Sequence, residues 1–377
     1  MRKKIIPGIL GSSGGDESGM SSTLRGNRIS VSIFGESHAE AIGMTMEGLP
    51  AGTEIDTEKL QRFLNRRAPG RNPWATSRQE ADTPEFLCGI KNGKSCGTPL
   101  TAIIRNRNTR SRDYDSILCV PRPGHADYTA QLKYNGFQDQ NGGGHFSGRI
   151  TAALCIAGGI LLQELERRNI RIAAYIRRIG KITDDSEFTH APENVEFPVL
   201  DPEKEPEMQA AIIKAKENGD SVGGIIECMV SGLAGGFGEP IFDGMENRIS
   251  QVCFAVPAVK GIEFGTGFKA AEMMGSEHND AFAVPAGQRI SNGQPILDTV
   301  TNHAGGILGG ISNGMPIVFR VAIKPTPSIS KPQQSVNIRT MQAEELRVAG
   351  RHDPCIVPRA VPVIEAAAAI AIADFVL

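Results

Sequence analysis

The sequence predicts an α+β fold, in which short strands alternate with helices along the chain. Five β-branched or apolar runs, each bounded by glycine or proline, predict strands; they are residues 29–34, 42–47, 100–105, 224–230 and 317–323. Helical stretches separate these runs, and a faint internal repeat relates the two halves of the chain. These three observations predict one unit to which both halves contribute strands and helices.

The helices are predicted from apolar spacing and from signals at their ends. Residues 56–67 form an amphipathic stretch, residues 147–168 form a second, and Gly219 closes a third at 206–218. The C-terminal residues 366–377 predict a buried helix, because charges and prolines interrupt any apolar span near the ~20 residues that a membrane helix needs.

The internal repeat consists of two short echoes. In the first half, residues 46–52 are followed by a helix and by the glycine turn 89–93, which leads into a strand. In the second half, the similar residues 230–236 are followed by a helical stretch and by the similar turn 310–314. The match is short, so chance similarity of turns is the alternative. A true repeat predicts two halves related by a pseudo-twofold, with no linker between them.

The domain organisation follows from this repeat and from composition. Residues 1–26 are rich in glycine and serine and predict a flexible, polar leader, whose apolar run is too short and too broken for a signal peptide. We predict that residues 27–377 form a single catalytic domain. The charged, proline-bearing segment 184–207 predicts a surface excursion near the junction of the halves.

Charge and cysteine usage exclude several classes of protein. Forty Lys and Arg against 42 Asp and Glu leave a net charge of −2, which disfavours a nucleic-acid binder. Seven scattered cysteines without a CxxC pair predict no disulfide framework and no metal site, and favour a reducing cytoplasm. Two arginine clusters suit a phosphate or carboxylate ligand, with a solvated charged face as the alternative; they are Arg62, Arg66, Arg67, Arg71 and Arg78, and Arg105, Arg107, Arg110, Arg112 and Arg122.

Three familiar motifs fit only in part. Residues 89–95 are one residue short of a P-loop, and residues 265–270 lack the acidic partner of a dinucleotide fingerprint. Residues 35–39 miss the last glycine of a nucleophile elbow, which leaves a serine hydrolase as a minor alternative.

Six of the seven histidines lie in segments crowded with glycine, serine and charged residues, and His190 is the exception. Histidine titrates nearest neutrality, and glycine lets the backbone approach a ligand closely. Each histidine alone could occupy an ordinary surface loop or the core. Together they predict an enzyme site assembled from several loops.

From about Ser21 to the C-terminus, the order of these segments resembles the chorismate synthase family. The motifs that carry the resemblance are Gly-Glu-Ser-His38, Arg-Pro-Gly-His-Ala-Asp-Tyr128, Gly-Gly-Gly-x-x-Ser147, Asn302-His-Ala-Gly-Gly-Ile-Leu-Gly-Gly-Ile311, Lys324-Pro-Thr-Pro-Ser328 and Arg351-His-Asp-Pro-Cys355.

The resemblance implies a lyase that converts 5-enolpyruvylshikimate 3-phosphate to chorismate and phosphate by 1,4-anti elimination, with reduced FMN and no net redox change. It also implies a β-α-β sandwich of two mostly antiparallel sheets enclosing helices, a homotetramer and a cytoplasmic location. The alternative from another class is a non-catalytic sensor that binds the same ligands, which would need the arginines and glycines but not His38, His125 and Asp353 together.

Three side chains take catalytic roles by the resemblance. His38 is the acid beside the departing phosphate, His125 protonates or orients the reduced flavin, and Asp353 helps the flavin accept the ring proton. As alternatives, Asp353 before Pro354 could start a turn, and Ser37 could cap a helix.

The cofactor contacts also come from the resemblance, apart from an anion site that Ser147 forms at the start of the predicted helix. Arg67 matches a position for NADP, and whether the chain reduces its own flavin stays open. The flavin contacts are His125, Ala258, Gly309, Lys324, Pro325, Thr326, Pro327, Ser328 and Arg351.

The chain departs from the family pattern at His145 and Phe146, where arginine and serine are usual. We expect His145 to donate a hydrogen bond to the bound anion and Phe146 to pack on an apolar surface such as the flavin ring. A protonated His145 would make affinity for the anion fall with rising pH.

Overall fold

The computed structural model describes residues 22–69, 74, 80–106, 119–285, 287, 290–291, 294–348 and 352–377. The strands of the first half are β1 Thr23–Arg25, β2 Ser30–Gly35, β3 Ala41–Glu47, β4 Glu85–Cys88, β5 Ile90–Lys91, β6 Lys94–Ser95 and β7 Leu100–Arg105. Those of the second half are β8 Arg171–Ile179, β9 Ile182–Thr183, β10 Gly224–Ser231, β11 Val259–Phe264, β12 Phe282–Ala283, β13 Ile290–Ser291, β14 Gln294–Pro295, β15 Asp298–Thr299, β16 Ile307–Leu308, β17 Ile311–Ser312, β18 Ile317–Ile323, β19 Gln333–Asn337 and β20 Gln342–Leu346.

Helices form at the four stretches whose bounds were predicted, with shifted ends, and also at further places. They are α1 Thr57–Arg67, α2 Asp127–Tyr134, α3 Thr151–Arg167, α4 Lys204–Glu217, α5 Met245–Phe254, α6 Gly275–His278 and α7 Val357–Val376. Asp56 caps α1, because its carboxylate accepts a hydrogen bond from the Lys59 N–H at 2.8 Å. All five predicted strands are present within one residue of their expected bounds.

Two five-stranded antiparallel sheets enclose a layer of helices. One sheet has the order β1-β2-β3-β7-β4 and the other β11-β18-β10-β8-β9. Helix α3 packs on β2, β3 and β7, helix α7 packs on β8 and β10, and the two helices pack on each other and on α1. The α+β class and the β-α-β sandwich are therefore confirmed.

Close approach of α3 and α7 depends on small residues. A Cβ on Gly158 would lie 2.4 Å from the Ala366 Cα, so glycine is needed at this crossing. Residues 148–167 are long and apolar enough to cross a membrane, but 78% of that window is buried inside the protein. Burial between two sheets accounts for the apolar character of this helix.

The two echoed segments occupy matching places in the two sheets. In one, β3 pairs antiparallel with β7, with Met46 opposite Leu100. In the other, β10 pairs antiparallel with β18, with Val230 opposite Ile317. The helices α1 and α5 follow the two echoes in the same order. This arrangement supports the repeat, whereas the pseudo-twofold itself stays a prediction.

Three predicted boundaries are corrected by the structure. Thr23–Arg25 are a strand paired with β2, so the leader cannot extend to residue 26, and residues 1–21 lie outside the described part. The segment 184–207 is not merely a surface excursion, because Asp184 and Phe197 are completely buried in it. The last helix begins at Val357, which is nine residues earlier than predicted.

Candidate active site

A loop of three glycines lies between two of the predicted catalytic histidines. Gly142, Gly143 and Gly144 have φ of +62°, +86° and +54°, which a residue with a Cβ adopts only under strain. A Cβ on Gly142 would lie 2.6 Å from His38 Cδ2 and Nε2, and one on Gly143 would lie 3.2 Å from His125 Cε1 and Nε2. The structure thus brings His38 and His125 against adjacent residues of one loop.

The His38 loop is attached to the glycine loop and to the end of β7. The Ser37 N–H donates to the Gly144 carbonyl at 3.1 Å. The amide of Asn106 donates to the carbonyls of Glu36 and Ala39 at 3.0 and 2.9 Å. Asn106 was not singled out from the sequence, since a lone asparagine after a strand carries no motif.

Ser37 is 1% exposed, and its hydroxyl has no hydrogen-bond partner among the described residues. No helix begins at Ser37, so the helix-cap alternative is wrong. The hydroxyl oxygen lies 2.9 Å from the place that a Gly142 Cβ would take. A buried hydroxyl without a partner is costly, so this oxygen is placed to receive a ligand atom beside His38.

His125 is oriented by an ion pair. Arg122 donates to both carboxylate oxygens of Asp127, and His125 Nδ1 lies 2.6 Å from Asp127 Oδ1. Burial raises the pKa of Asp127, but hydrogen bonds from Arg122 and His125 outweigh burial and hold this pKa well below its usual range. The Nδ1 side of the ring faces Arg122 and Asp127, so Cε1 and Nε2 are the ring atoms that face Gly143.

The segment 324–328 follows β18 and joins the His125 loop to Asp353. Ser328 accepts a hydrogen bond from Arg122 at 3.0 Å, and the Lys324 amino group donates to the Gly124 carbonyl. The Thr326 hydroxyl donates to the Asp353 carbonyl at 2.7 Å. Pro327 lies against Gly124, whereas Pro325 is exposed.

Lys324 has a second lysine beside it. Burial lowers the pKa of Lys324, and the charge of Lys260 on β11 lowers it further. Lys260 was missed from the sequence, because the pairing of β11 with β18 is what brings the two together. Ala258, just before β11, has φ +76° and accepts a hydrogen bond from the Lys324 N–H at 2.9 Å.

Asp353 is held by the last helix. Arg359 on α7 donates to Asp353 Oδ2, and the two side chains are 19% and 12% exposed. Asp353 is therefore tied into the ion pairs around α7 and is more than a turn residue. Arg351, predicted to contact the flavin, lies outside the described residues.

The glycine loop leads into residues that do not all take their expected places. Ser147 begins a single 3₁₀ turn and accepts from the Arg149 N–H at 3.3 Å, whereas α3 begins at Thr151. Ser147 therefore does not lie at the start of the long helix α3, where the anion site was predicted. Phe146 packs on Tyr134 with ring centroids 6.3 Å apart.

His145 has protein partners at both ring nitrogens. Nδ1 lies 2.7 Å from the Gly35 carbonyl, and Nε2 lies 2.7 Å from the Ser22 hydroxyl. The carbonyl can only accept, so Nδ1 is a donor. In this structure both ring nitrogens of His145 therefore contact protein groups and not an anion, and the ring joins Ser22, just before β1, to Gly35 at the end of β2.

Arg67 was expected to contact NADP, and Gly309 was expected to contact the flavin. Arg67 is 4% exposed and donates to Asp82, Thr151 and the Gly148 carbonyl, so its guanidinium is directed into the protein. Gly309 is exposed with φ +62° in the turn between β16 and β17, and that hairpin contacts Met245 of α5.

Known proteins resemble this chain in sequence and in fold. The family model described as "Chorismate synthase" matches residues 29–377. A chorismate synthase of Lancefieldella parvula is 47% identical over 375 residues, covering 94% of this chain and 96% of that protein. One of Korarchaeum cryptofilum is 43% identical over 362 residues, covering 95% and 98%. A solved chorismate synthase structure matches with a TM-score of 0.71 at 28% identity, covering 94% of this chain and 93% of the other.

Proposed function

This chain belongs to the chorismate synthase family, and we propose that it converts 5-enolpyruvylshikimate 3-phosphate to chorismate and phosphate by 1,4-anti elimination, with reduced FMN. The observation that supports this proposal most is the placement of His38 and His125 against adjacent glycines. Two imidazoles that contact one glycine loop provide two separate proton-transfer positions. A binding protein would have no need of both.

The substrate carries one phosphate and two carboxylates, so its site must offer several donors in a small volume. Arg122 contributes a buried guanidinium, and the Ser37 hydroxyl is available beside His38. The Nη2 of Arg149 is also buried without a hydrogen-bond partner among the described residues. These groups support binding of the phosphate and carboxylates near the glycine loop.

We assign the proton transfers to three residues. His38 donates a proton to the departing phosphate oxygen, with the Ser37 hydroxyl beside it. His125, whose Nδ1 lies against Asp127, directs Nε2 toward Gly143, and we assign it to protonate or orient the reduced flavin. Asp353, held by Arg359, assists removal of the ring proton.

The residues present fit the phosphate of FMN. Lys260 and Lys324 repel each other, and an anion between them would relieve that repulsion. Reduced FMN would supply electron density to the breaking C–O bond. The contacts of Arg67 with Asp82, Thr151 and Gly148 do not support binding of NADP at Arg67. The residues assigned to contact FMN are His125, Ala258, Lys324, Pro325, Thr326, Pro327, Ser328 and, on the resemblance alone, Gly309 and Arg351.

The test of this function is anaerobic incubation with reduced FMN and 5-enolpyruvylshikimate 3-phosphate, with phosphate release measured. We expect turnover that requires reduced flavin. Binding of both ligands by folded protein without phosphate release would instead identify a sensor.

Replacing Arg122 with alanine is expected to raise KM for the substrate by at least about 10-fold, because a lost charge-assisted contact is worth roughly 1.5–3 kcal/mol. Arg122→Ala also leaves Asp127 buried without its main partner. The matched control is Arg105→Ala, whose ion pairs with Glu40 and Glu85 are exposed and contribute little. An unchanged KM in Arg122→Ala would remove this arginine from the binding site.

The pH dependence of binding is expected to be independent of residue 145. Because both ring nitrogens of His145 have protein partners, FMN and substrate affinity between about pH 6 and 9 should follow the same profile in wild type and His145→Arg. A fall in affinity with rising pH that His145→Arg abolishes would show that a protonated His145 contacts the anion.

We also propose a homotetramer in the cytoplasm. Large apolar side chains are exposed along the second half of the chain, and Phe242, Phe268 and Val284 are 85%, 84% and 89% exposed. Burial of these side chains in contacts between subunits would be favourable, which supports assembly. Light scattering of the purified protein measures the state.

A further inference from the structure

A continuous chain of hydrogen bonds leads inward from the His38 loop. Asn106 donates its amide to the carbonyls on either side of Ser37-His38, and its Oδ1 accepts from Arg149 Nε at 3.0 Å. Arg149 then donates through Nη1 to Asp82 Oδ1. The position of the His38 backbone therefore depends on where Arg149 is held.

A second chain leads inward from Asp353. Arg359 donates through Nη1 to Asp353 Oδ2 and through Nε to the Arg67 carbonyl at 3.0 Å. Arg67 donates through Nη1 to Asp82 Oδ2 at 2.6 Å. Each of the two chains therefore ends on a different oxygen of the same carboxylate.

The buried position and the backbone conformation of Asp82 are both energetically unfavourable. Its side chain is completely buried, and its backbone has φ +48°, in the left-handed region. Burial raises the pKa of Asp82, but the charges of Arg67 and Arg149 outweigh burial and lower this pKa, so the carboxylate stays ionised between two arginines. A buried charge that two arginines share helps to fix both guanidinium groups, and Glu80 is a second carboxylate partner of Arg149 at 2.7 Å.

We propose that Asp82 is a positioning residue that sets the placement of His38, the proton donor, relative to Asp353, which assists removal of the ring proton. This inference rests on the proposed function. An anti elimination needs the acid and the base on opposite sides of the same ring, so an error in their separation lowers the rate of the chemical step more than it weakens binding.

A second buried aspartate provides a matched control. Asp184 is also completely buried, and its carboxylate accepts hydrogen bonds from the N–H groups of Ser186, Leu200 and Asp201. These bonds order the segment that carries His190, and none of their donors belongs to the two chains above. Asp184→Asn therefore measures the cost of neutralising a buried carboxylate outside the site.

We expect Asp82→Asn to lower kcat by about 10²-fold with a smaller change in KM, since a displacement near 1 Å can cost that much. Asp184→Asn should lose a similar amount of thermal stability and keep its kcat. Equal kcat in the two variants at equal stability would overturn the proposal.

A double-mutant cycle tests the connection. Asn106→Ala alone should lower kcat by about 10-fold, but in the Asp82→Asn background it should cost less than roughly twofold, because groups that act as a unit are not additive. Multiplication of the two single effects would show independent roles and overturn the proposal.

A measurement without turnover separates this inference from the proposed function. In imidazole ¹⁵N–¹H spectra, with His38 assigned from His38→Ala, we expect Asp82→Asn to shift the His38 signals and to leave His190 unchanged. Asp184→Asn should shift the His190 signals and leave those of His38 unchanged. Unshifted His38 signals in Asp82→Asn would overturn the positioning role, whereas absence of phosphate release by wild type would overturn only the proposed function.

Discussion

Replacing Gly142 with alanine is expected to lower kcat by at least about 10²-fold while the protein remains folded. The new Cβ would lie 2.6 Å from two ring atoms of His38 and 2.9 Å from the Ser37 hydroxyl, so the imidazole must move. Because His38 is the proposed acid, its displacement removes the proton from the path of the departing phosphate. Stopped-flow measurement of phosphate release under anaerobic conditions gives the rate.

The strain of a left-handed alanine needs its own control. Gly52 has φ +82° and no atom within 4 Å of the place that a Cβ would take, so Gly52→Ala carries the backbone cost of roughly 1–2 kcal/mol without a clash. We expect Gly142→Ala and Gly52→Ala to lose similar stability and to differ in kcat. Gly143→Ala, with its Cβ 3.2 Å from His125, should have an intermediate effect. Normal kcat in Gly142→Ala would mean that His38 has room to shift without loss of function.

Removal of the other two proton-transfer groups is expected to be equally severe. His125→Ala and Asp353→Asn should each lower kcat by about 10²-fold or more, which is the usual effect of losing a positioned acid or base. FMN affinity should change less, because the lysine pair and the backbone of residues 324–328 remain. Single-turnover kinetics beside a fluorescence titration of FMN separates the two quantities.

These two substitutions leave most of their surroundings in place. In Asp353→Asn the amide oxygen still accepts from Arg359, so the loss reports the missing charge. In His125→Ala the Arg122–Asp127 pair persists. Near-normal kcat in either variant would take that residue off the list of catalytic groups.

The sequence was most informative where one local pattern decided the structure. The β-rich runs at β7 and β18 and the capped stretch of α1 lie where they were predicted, because the local residue pattern favours a strand or a helix there. Strand β8 and helix α2 were not predicted. The run Arg171–Ile179 has a mixed exposure pattern, and its strand character depends on β10 as a neighbour.

At the site, the sequence by itself identified the segments around His38, His125 and Asp353 that we propose to carry the chemistry, because they follow one another in a recognisable order. It could not determine the direction of the charged side chains. Arg67 and His145 were expected to face ligands, yet Asp82 holds the first and Gly35 and Ser22 hold the second.

Only the tertiary structure decided these partners, and the physical reason is the same in each case. A buried charge or ring nitrogen must be satisfied by whatever group the fold brings within about 3 Å, and that group is remote in sequence. Asp82 and Arg149 are 67 residues apart, and Arg66 and Glu365 are 299 apart. The residue types that the reaction needs can thus be identified along the chain, whereas their placement is set by contacts between segments that are distant in sequence.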